Sequence, residues 1–427
     1  MPDYKKKRIN RFKPAPRRKR ALPTDEDIKM TPADKRRKKS EKPEKTPEIP
    51  LRVVNGKKLE RRRKTGMFFS AALIIALILT VFQLVLPAGI TENTENLISL
   101  IGKGSYPISL ESTETQSAVS RGSYYYVLTD TRLNAFANGG KEIYSHSHGF
   151  ENPVMKTSST RALVFDQGGN EAYIYNLHEL KSSINSDAEI INAAVSDSGV
   201  YAVVTRSESY ASVVTVYSKR GKKIYTWYSS ADTVNNVAVA PNGKKIAVST
   251  FNSTNGKFVS KIGILNFDSA NPISSVDVEG GPVIALNSFH RAGFIAATEN
   301  KLYFINWSGK NNTEYKNDYT LSRLSSGTGG TVAVFNREND RADNRIVLFG
   351  TNGQLKKEFE FKGTVGDIAV SGGHIYCISD TEVFLYGSDG KLLRKAECGF
   401  GGVKIAPLGR THAAVITDNR IDKIKFE

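Results

Sequence analysis

Eight short apolar segments recur along this 427-residue chain, and their spacing leaves few folds open. They are YYYVLTD from Tyr124, ALVFDQ from Ala162, VYAVVTR from Val200, IAVSTFN from Ile246, FIAATEN from Phe294, VAVFNRE from Val332, YCISD from Tyr376 and AAVITDN from Ala414. The intervals are 38, 38, 46, 48, 38, 44 and 38 residues. Their mean of about 41 is the period of a four-stranded propeller blade. Helical periodicity is absent over this region. Short β-branched and aromatic runs alternate with Gly, Asn and Asp turns, the pattern of antiparallel strands.

The neighbours of each segment fit the same unit. A third strand follows at once, as in EAYIYNL, SVVTVYS, KIGILNF, RIVLFG and EVFLYG. Then comes a turn of common form: Gly139–Gly140–Lys141, Arg220–Gly221–Lys222, Ser308–Gly309–Lys310, Asn352–Gly353–Gln354 and Asp389–Gly390–Lys391. Glycine supplies the positive φ of a tight hairpin and the polar residue after it faces water. The strand before each segment is rich in small residues (NAAVS, NVAVA, PVIALNS, DIAVS, VKIAP), which suits the crowded position around a central channel. The last repeat stops after its third strand at Glu427, and the run Tyr106–Glu111 is left over before the first complete unit. These two facts predict that 106–111 supplies the missing outer strand and closes the ring, leaving only short edges. The expected fold is an all-β propeller of eight four-stranded blades, with seven as the alternative because the first repeat is the least regular. An open stack would need capping ends, and none are visible.

The remaining sequence is of another kind. Residues 1–66 carry 25 Lys/Arg against 9 Asp/Glu and hold 8 of the 15 Pro, a composition that reads as a disordered basic tail. Residues 67–427 are balanced, with 35 basic and 34 acidic side chains. The net charge of +17 is therefore a property of the tail. Met67–Leu86 (MFFSAALIIALILTVFQLVL) has no charge over twenty residues. As a helix it would be roughly 30 Å long, the thickness of a bilayer's hydrocarbon core. Lys57, Lys58, Arg61–Arg63 and Lys64 precede it, while Glu92 and Glu95 follow. The positive-inside rule then places the N-terminus in the cytoplasm and the body outside. The expected organisation is a cytoplasmic tail (1–66), a transmembrane helix (67–86), a polar stalk (87–105) and an extracytoplasmic propeller (106–427). Anionic lipid is an expected contact of the basic tail. Nucleic acid is not, since Lys/Arg clusters alone, without interleaved aromatics or a folded motif, give no reading surface.

The ~41-residue unit, the Asn/Asp-Gly-Lys turns and the Pro241–Asn242–Gly243–Lys244 turn resemble bacterial extracytoplasmic propellers of the quinoprotein-like and WD40-like type. The whole layout resembles an uncharacterised Firmicutes family of single-pass, membrane-anchored propellers, a domain of unknown function. That resemblance implies location and fold but no chemistry. Quinone-dependent propellers also carry repeated Trp-bearing docking motifs, a vicinal Cys pair and a Ca²⁺ site. Here Trp227 and Trp307 are the only Trp, and Cys377 and Cys398 are 21 apart.

A search for catalytic or ligand-binding patterns yields little. His146–Ser147–His148 would point two imidazoles to one face of a strand, but nothing supplies a third zinc ligand at a recognised spacing. Two surface histidines at a blade's outer edge is the preferred reading. His178, His290, His374 and His412 are isolated, at turns or strand ends. Gly329–Gly330 and Gly399–Gly402 read as turns between blades, not as phosphate cradles, because neither opens a helix. Cys377 and Cys398 fall in the second and fourth strands of one blade, about 9–10 Å apart across the third. Two free, mostly buried thiols is the preferred reading, with a disulfide left open by register. No catalytic, metal-binding or cofactor-binding residue is assigned, and no cofactor is expected. The expected function is non-catalytic: a membrane-anchored propeller serving as an extracytoplasmic scaffold or sensor that binds a protein or envelope polymer. The alternative is an envelope polysaccharide hydrolase or lyase with paired carboxylates on the propeller rim.

Overall fold

The computed structural model describes residues 70, 73 and 98–427, apart from 103, 113, 255–256, 290–292, 311 and 400. The eight repeats form eight four-stranded antiparallel sheets. In blades 1–7 the strands lie in chain order, as in blade 2: Pro153–Thr157, Ala162–Asp166, Glu171–Tyr175 and Leu180–Asn185. The small-residue strand is innermost each time. The blades span 115–147, 153–185, 190–229, 233–278, 285–316, 320–362 and 367–397, and the eighth begins at 404.

The two-residue period of a strand explains how the ring holds together. Successive side chains leave opposite faces of a blade, so each strand feeds the cores on both sides. In the second strand of blade 1 (Tyr124–Thr129), Tyr126 and Leu128 pack with Ala162, Val164 and Tyr175 of blade 2. Tyr125 and Val127 pack with Ala406, Ala414 and Ile416 of blade 8. Eight such clusters exist among the described residues, one at each blade–blade junction. Second strands are therefore buried on both faces, which is why the recurring segments read as unbroken apolar runs. Each fully buried Phe, Val or Leu there contributes roughly 1.5–3 kcal/mol.

Blade 8 is completed across the chain ends. Ile108 pairs with Ile421 and Ser109 with Arg420, placing Ile108–Ser109 outside Arg420–Lys425. The Leu110 amide donates to the Asn419 carbonyl at 2.8 Å. The Thr115 amide donates to Asp418 Oδ1 at 3.2 Å, its hydroxyl to the Thr417 carbonyl at 2.9 Å, and the Ser112 hydroxyl to the Asp418 carbonyl. Closure by the 106–111 run and the count of eight blades thus agree with the sequence expectation.

The five turns of common form share one geometry. Gly140, Gly221, Gly309, Gly353 and Gly390 have φ between 73° and 87°. Each donates its amide to the carbonyl three residues back at 2.9–3.0 Å. In blades 1, 3, 6 and 7 the ladder slips by one residue beside this turn, as a type I turn followed by a bulged glycine requires.

Of the other expectations, one falls outside the described residues and others are modified. The residues read as a membrane span, 67–86, lie outside the described residues except Ser70 and Leu73, which are helical. Among the described residues no helix is long and apolar enough to cross a membrane. The described end of the segment read as a stalk packs on the body: Leu100 lies against the blade 1–2 core, and Lys141 Nζ donates to the Ser99 and Ile101 carbonyls at 2.9 and 2.6 Å. Gly329 belongs to a two-residue hairpin within blade 6, between Gly327 and Gly330, and not to a link between blades. Gly399–Gly402 does fall between blades 7 and 8.

Candidate functional site

The histidines considered as metal ligands do not come together. His148 is buried, not surface-exposed, at 5% accessibility. Its Nδ1 accepts the Phe150 amide at 3.1 Å and its Nε2 meets the Thr129 carbonyl at 3.2 Å. That arrangement fixes a neutral tautomer with the proton on Nε2 and leaves neither nitrogen for a metal. His146 stacks on Tyr144, with its Nδ1 3.1 Å from the Tyr175 hydroxyl. Burial pushes both imidazoles below their usual pKa. Among the described residues no group of three His, Cys, Asp or Glu is arranged to hold a metal. The thiols are free and serve opposite faces of blade 7: Cys377 in the blade 6–7 core, Cys398 beside the blade 7–8 core. Burial raises the pKa of both, well out of the reactive range for Cys377.

Three features remain in which a ligand or partner could be held. The first is the central channel, a cavity of about 610 Å³ to which the innermost strands of all eight blades contribute. Ala118, Ala194, Ala238 and Ala369 keep it open, with Asn287, Ser288 and Ser325 as neutral polar lining. Its two carboxylates do not converge. Asp197 lies in the hairpin that follows the first strand of blade 3, and Asp367 opens the first strand of blade 7, so they occupy opposite ends of the channel. Asp367 Oδ2 accepts the Ile405 amide at 3.0 Å, and desolvation raises its pKa.

The second feature is a separation of charge. With antiparallel strands in chain order, the first-to-second and third-to-fourth hairpins open on one face of the ring. The second-to-third hairpins and the links between blades open on the other. Among the described residues, connections on the first face carry ten Lys/Arg and four Asp/Glu. Those on the second face carry fourteen Asp/Glu and one Arg, Arg206, which pairs with Glu189 at 2.7 Å. The charged residues of the connections are thus sorted into a basic and an acidic face. The cause is local turn chemistry. The X-Gly-Lys turns deliver Lys141, Lys222, Lys310 and Lys391 to the basic face. The second strands run out through Asp130, Glu299, Glu338, Asp380 and Asp418 onto the acidic face. The chain enters the ring on the basic face, where Ser99 and Ile101 bond to the Lys141 hairpin.

The third feature is apolar. Tyr210, Tyr228, Phe258, Val259 and Ile284 are all exposed (39–64%), and all lie toward the acidic face on blades 3 and 4 or the link that follows. The Tyr210 and Tyr228 rings sit 4.8 Å apart. Beside them a groove of about 490 Å³ runs between the outer strand of blade 3 and blade 4, lined by Trp227, Tyr228, Thr250, Lys261 and Pro272. Trp227 Nε1 donates across it to the Ala270 carbonyl at 2.9 Å. The second and third strands of blade 4 (Lys245–Thr254 and Lys257–Asn266) are ten residues long, against five or six in most blades, so their hairpin carries Phe258 out from the ring. These residues were not singled out from sequence, because an exposed aromatic and a core one look alike until the blade interfaces are known.

The fold and its surfaces define a propeller with a channel and oppositely charged faces. A family profile matches residues 103–426, and the chain belongs to that family, a family of unknown function (DUF5711). No curated protein matches the sequence significantly. Among solved structures, the C-terminal WD40 domain of Sif2 is similar at a TM-score of 0.54 and 12% identity, covering 75% of this chain and 97% of that one. The Dos1 propeller is similar at 0.53 and 10%, covering 77% and 96%. BamB from Moraxella catarrhalis aligns at 0.46 and 10%, covering 76% and 99%. At these identities the likeness is one of fold.

Proposed function

We propose that the protein is a non-catalytic binding module, tethered to the membrane by residues 67–86 with its propeller outside the cytoplasm. The acidic face and its aromatic sector on blades 3 and 4 receive a protein partner that is basic and partly apolar. The observation that carries this reading is the grouping of Tyr210, Tyr228 and Phe258, solvent-exposed, on the face with fourteen carboxylates. Aromatic anchors beside a groove supply affinity, and a surrounding field of one sign supplies association rate and choice of partner. The similarity to propellers such as the Sif2 WD40 domain supports the fold as a scaffold. Within the channel the two carboxylates, Asp197 and Asp367, are separated along its length, which disfavours a hydrolase site there.

The test is photo-crosslinking in cells from residue 228 and, as a control, from the exposed Leu393 on the outer strand of blade 7. One discrete protein adduct from 228, absent from 393 and abolished by Tyr210→Asp, is the expected result. Equal or absent adducts at both positions would defeat the assignment of the surface.

A further inference from the structure

The mouth of the channel on the basic face contains a lysine whose charge the protein does not balance. Lys156 is the penultimate residue of the first strand of blade 2 (Pro153–Thr157), one step from the basic-face hairpin, and it lines the channel. Among the described residues its ammonium forms no ion pair and no hydrogen bond. Burial lowers the pKa of its ammonium, and no carboxylate offsets that effect.

Its surroundings on both flanking strands are accounted for. On the blade 1 side, Arg121 also lines the channel, but its donors are committed to neutral acceptors. Nε donates to the Ser158 carbonyl at 3.0 Å, Nη1 to the Ser120 carbonyl at 3.2 Å, and Nη2 to the Thr157 carbonyl and hydroxyl. On the blade 3 side, Asp197 Oδ1 accepts the Ser159 amide at 2.7 Å, and its charge acts on Arg121. The mouth thus holds two cations, and the one carboxylate beside it is already engaged.

A partly desolvated ammonium in a lumen is costly without a counter-charge. The basic face draws anions toward this same opening. A lumen of about 610 Å³ has room for a phosphate or carboxylate group with part of the molecule that bears it, and the Ser288 and Ser325 hydroxyls line the same space. We propose that this end of the channel is a binding site for an oxyanion, a phosphate or carboxylate group of a ligand, with Lys156 as the cation that pairs with it. This site is distinct from the acidic partner face and stands or falls separately.

The probe is inorganic phosphate, titrated calorimetrically at low ionic strength into the full chain in zwitterionic nanodiscs. Saturable one-to-one binding is expected. Lys156→Gln should weaken it by about tenfold or more, the loss of one good ion pair. Lys156→Arg should retain it, and Lys310→Gln on the outer rim should leave it unchanged. Binding of equal strength in Lys156→Gln would overturn the proposal. A second readout uses unmodified protein: the rate at which acetic anhydride acetylates Lys156, followed by mass spectrometry. Added phosphate should slow Lys156 and spare Lys310. Slowing in phosphatidylglycerol nanodiscs without added phosphate would identify a lipid headgroup as the source, and slowing only on addition would identify a soluble one. An unaltered rate in both would refute the site.

Discussion

At the residue scale, His148 shows how a residue picked out for chemistry is spent on structure. Its two ring nitrogens close the link between blades 1 and 2 by bonding Phe150 and Thr129. Removing them should cost about 1–2 kcal/mol, two net hydrogen bonds. The pH dependence has a definite sign. Burial, with a smaller contribution from His146, holds the folded imidazole below its usual pKa, while the Thr129 hydrogen bond and the Asp130 and Asp166 carboxylates oppose this. Below about pH 6.5 the unfolded chain therefore binds a proton that the folded protein refuses. The stabilisation is complete above that pH and is lost as pH falls toward the depressed folded value. Thermal unfolding followed from pH 8 to 5 should show Tm falling below pH 6.5, with a shallower fall in His148→Gln. Parallel profiles would show that His148 titrates normally. The sequence could not reveal this use of His148, because both partners are backbone groups, one of them, Thr129, in the second strand of blade 1.

At the element scale, the short strand Ile108–Ser109 has an effect far beyond its two ladder pairs. It covers the outer edge of blade 8 and ties the beginning of the propeller to Arg420–Lys425. Leu110, beside it, is buried in the blade 8–1 core. Deleting 106–111 exposes the Arg420–Lys425 edge and removes Leu110 from the blade 8–1 core, weakening the junction that closes the ring. An open ring should unfold in more than one transition and associate through the free edge. Among the described residues Asp418→Ala removes one hydrogen bond, that to the Thr115 amide, so a loss of about 1 kcal/mol with a single transition is expected. Calorimetry separates the two, and a single unshifted transition in the deletion would show that closure contributes little. This strand was legible beforehand because a missing fourth strand at Glu427 demanded a donor elsewhere. The eight-blade count was legible for a related reason: double-sided burial makes each second strand an uninterrupted apolar run, and such runs can be counted. The Gly329–Gly330 hairpin was misplaced because glycine pairs mark turns of either kind.

At the scale of the whole molecule, balanced composition conceals a polar object. The 35 basic and 34 acidic side chains of residues 67–427 suggest an electrically bland body, yet topology sends the connections alternately to a basic and an acidic face. The signal was present in the recurring segments themselves, since LTD, TEN, NRE, ISD and TDN each end in or contain an acid at the same turn. Reading it required knowing that alternate turns share a face. Such a body should be retained by both cation and anion exchangers at low salt. The triple change Lys219→Glu, Arg220→Glu and Lys222→Glu, all on one basic-face hairpin, should abolish retention on the cation exchanger and strengthen it on the anion exchanger. The comparison is made with residues 1–60 removed from both proteins, so that the tail does not govern adsorption, and unchanged elution would then contradict a basic face.

The reading of the molecule as an external binding module depends on which side of the membrane the ring occupies. The direct measurement is labelling of intact cells with a membrane-impermeant maleimide, using single cysteines placed at the exposed Ser230 of the propeller and at Ser40 of the tail in a Cys377→Ala, Cys398→Ser background. The account predicts labelling at 230 before lysis and at 40 only after it. Labelling at 40 in intact cells, or at 230 only after lysis, would contradict it.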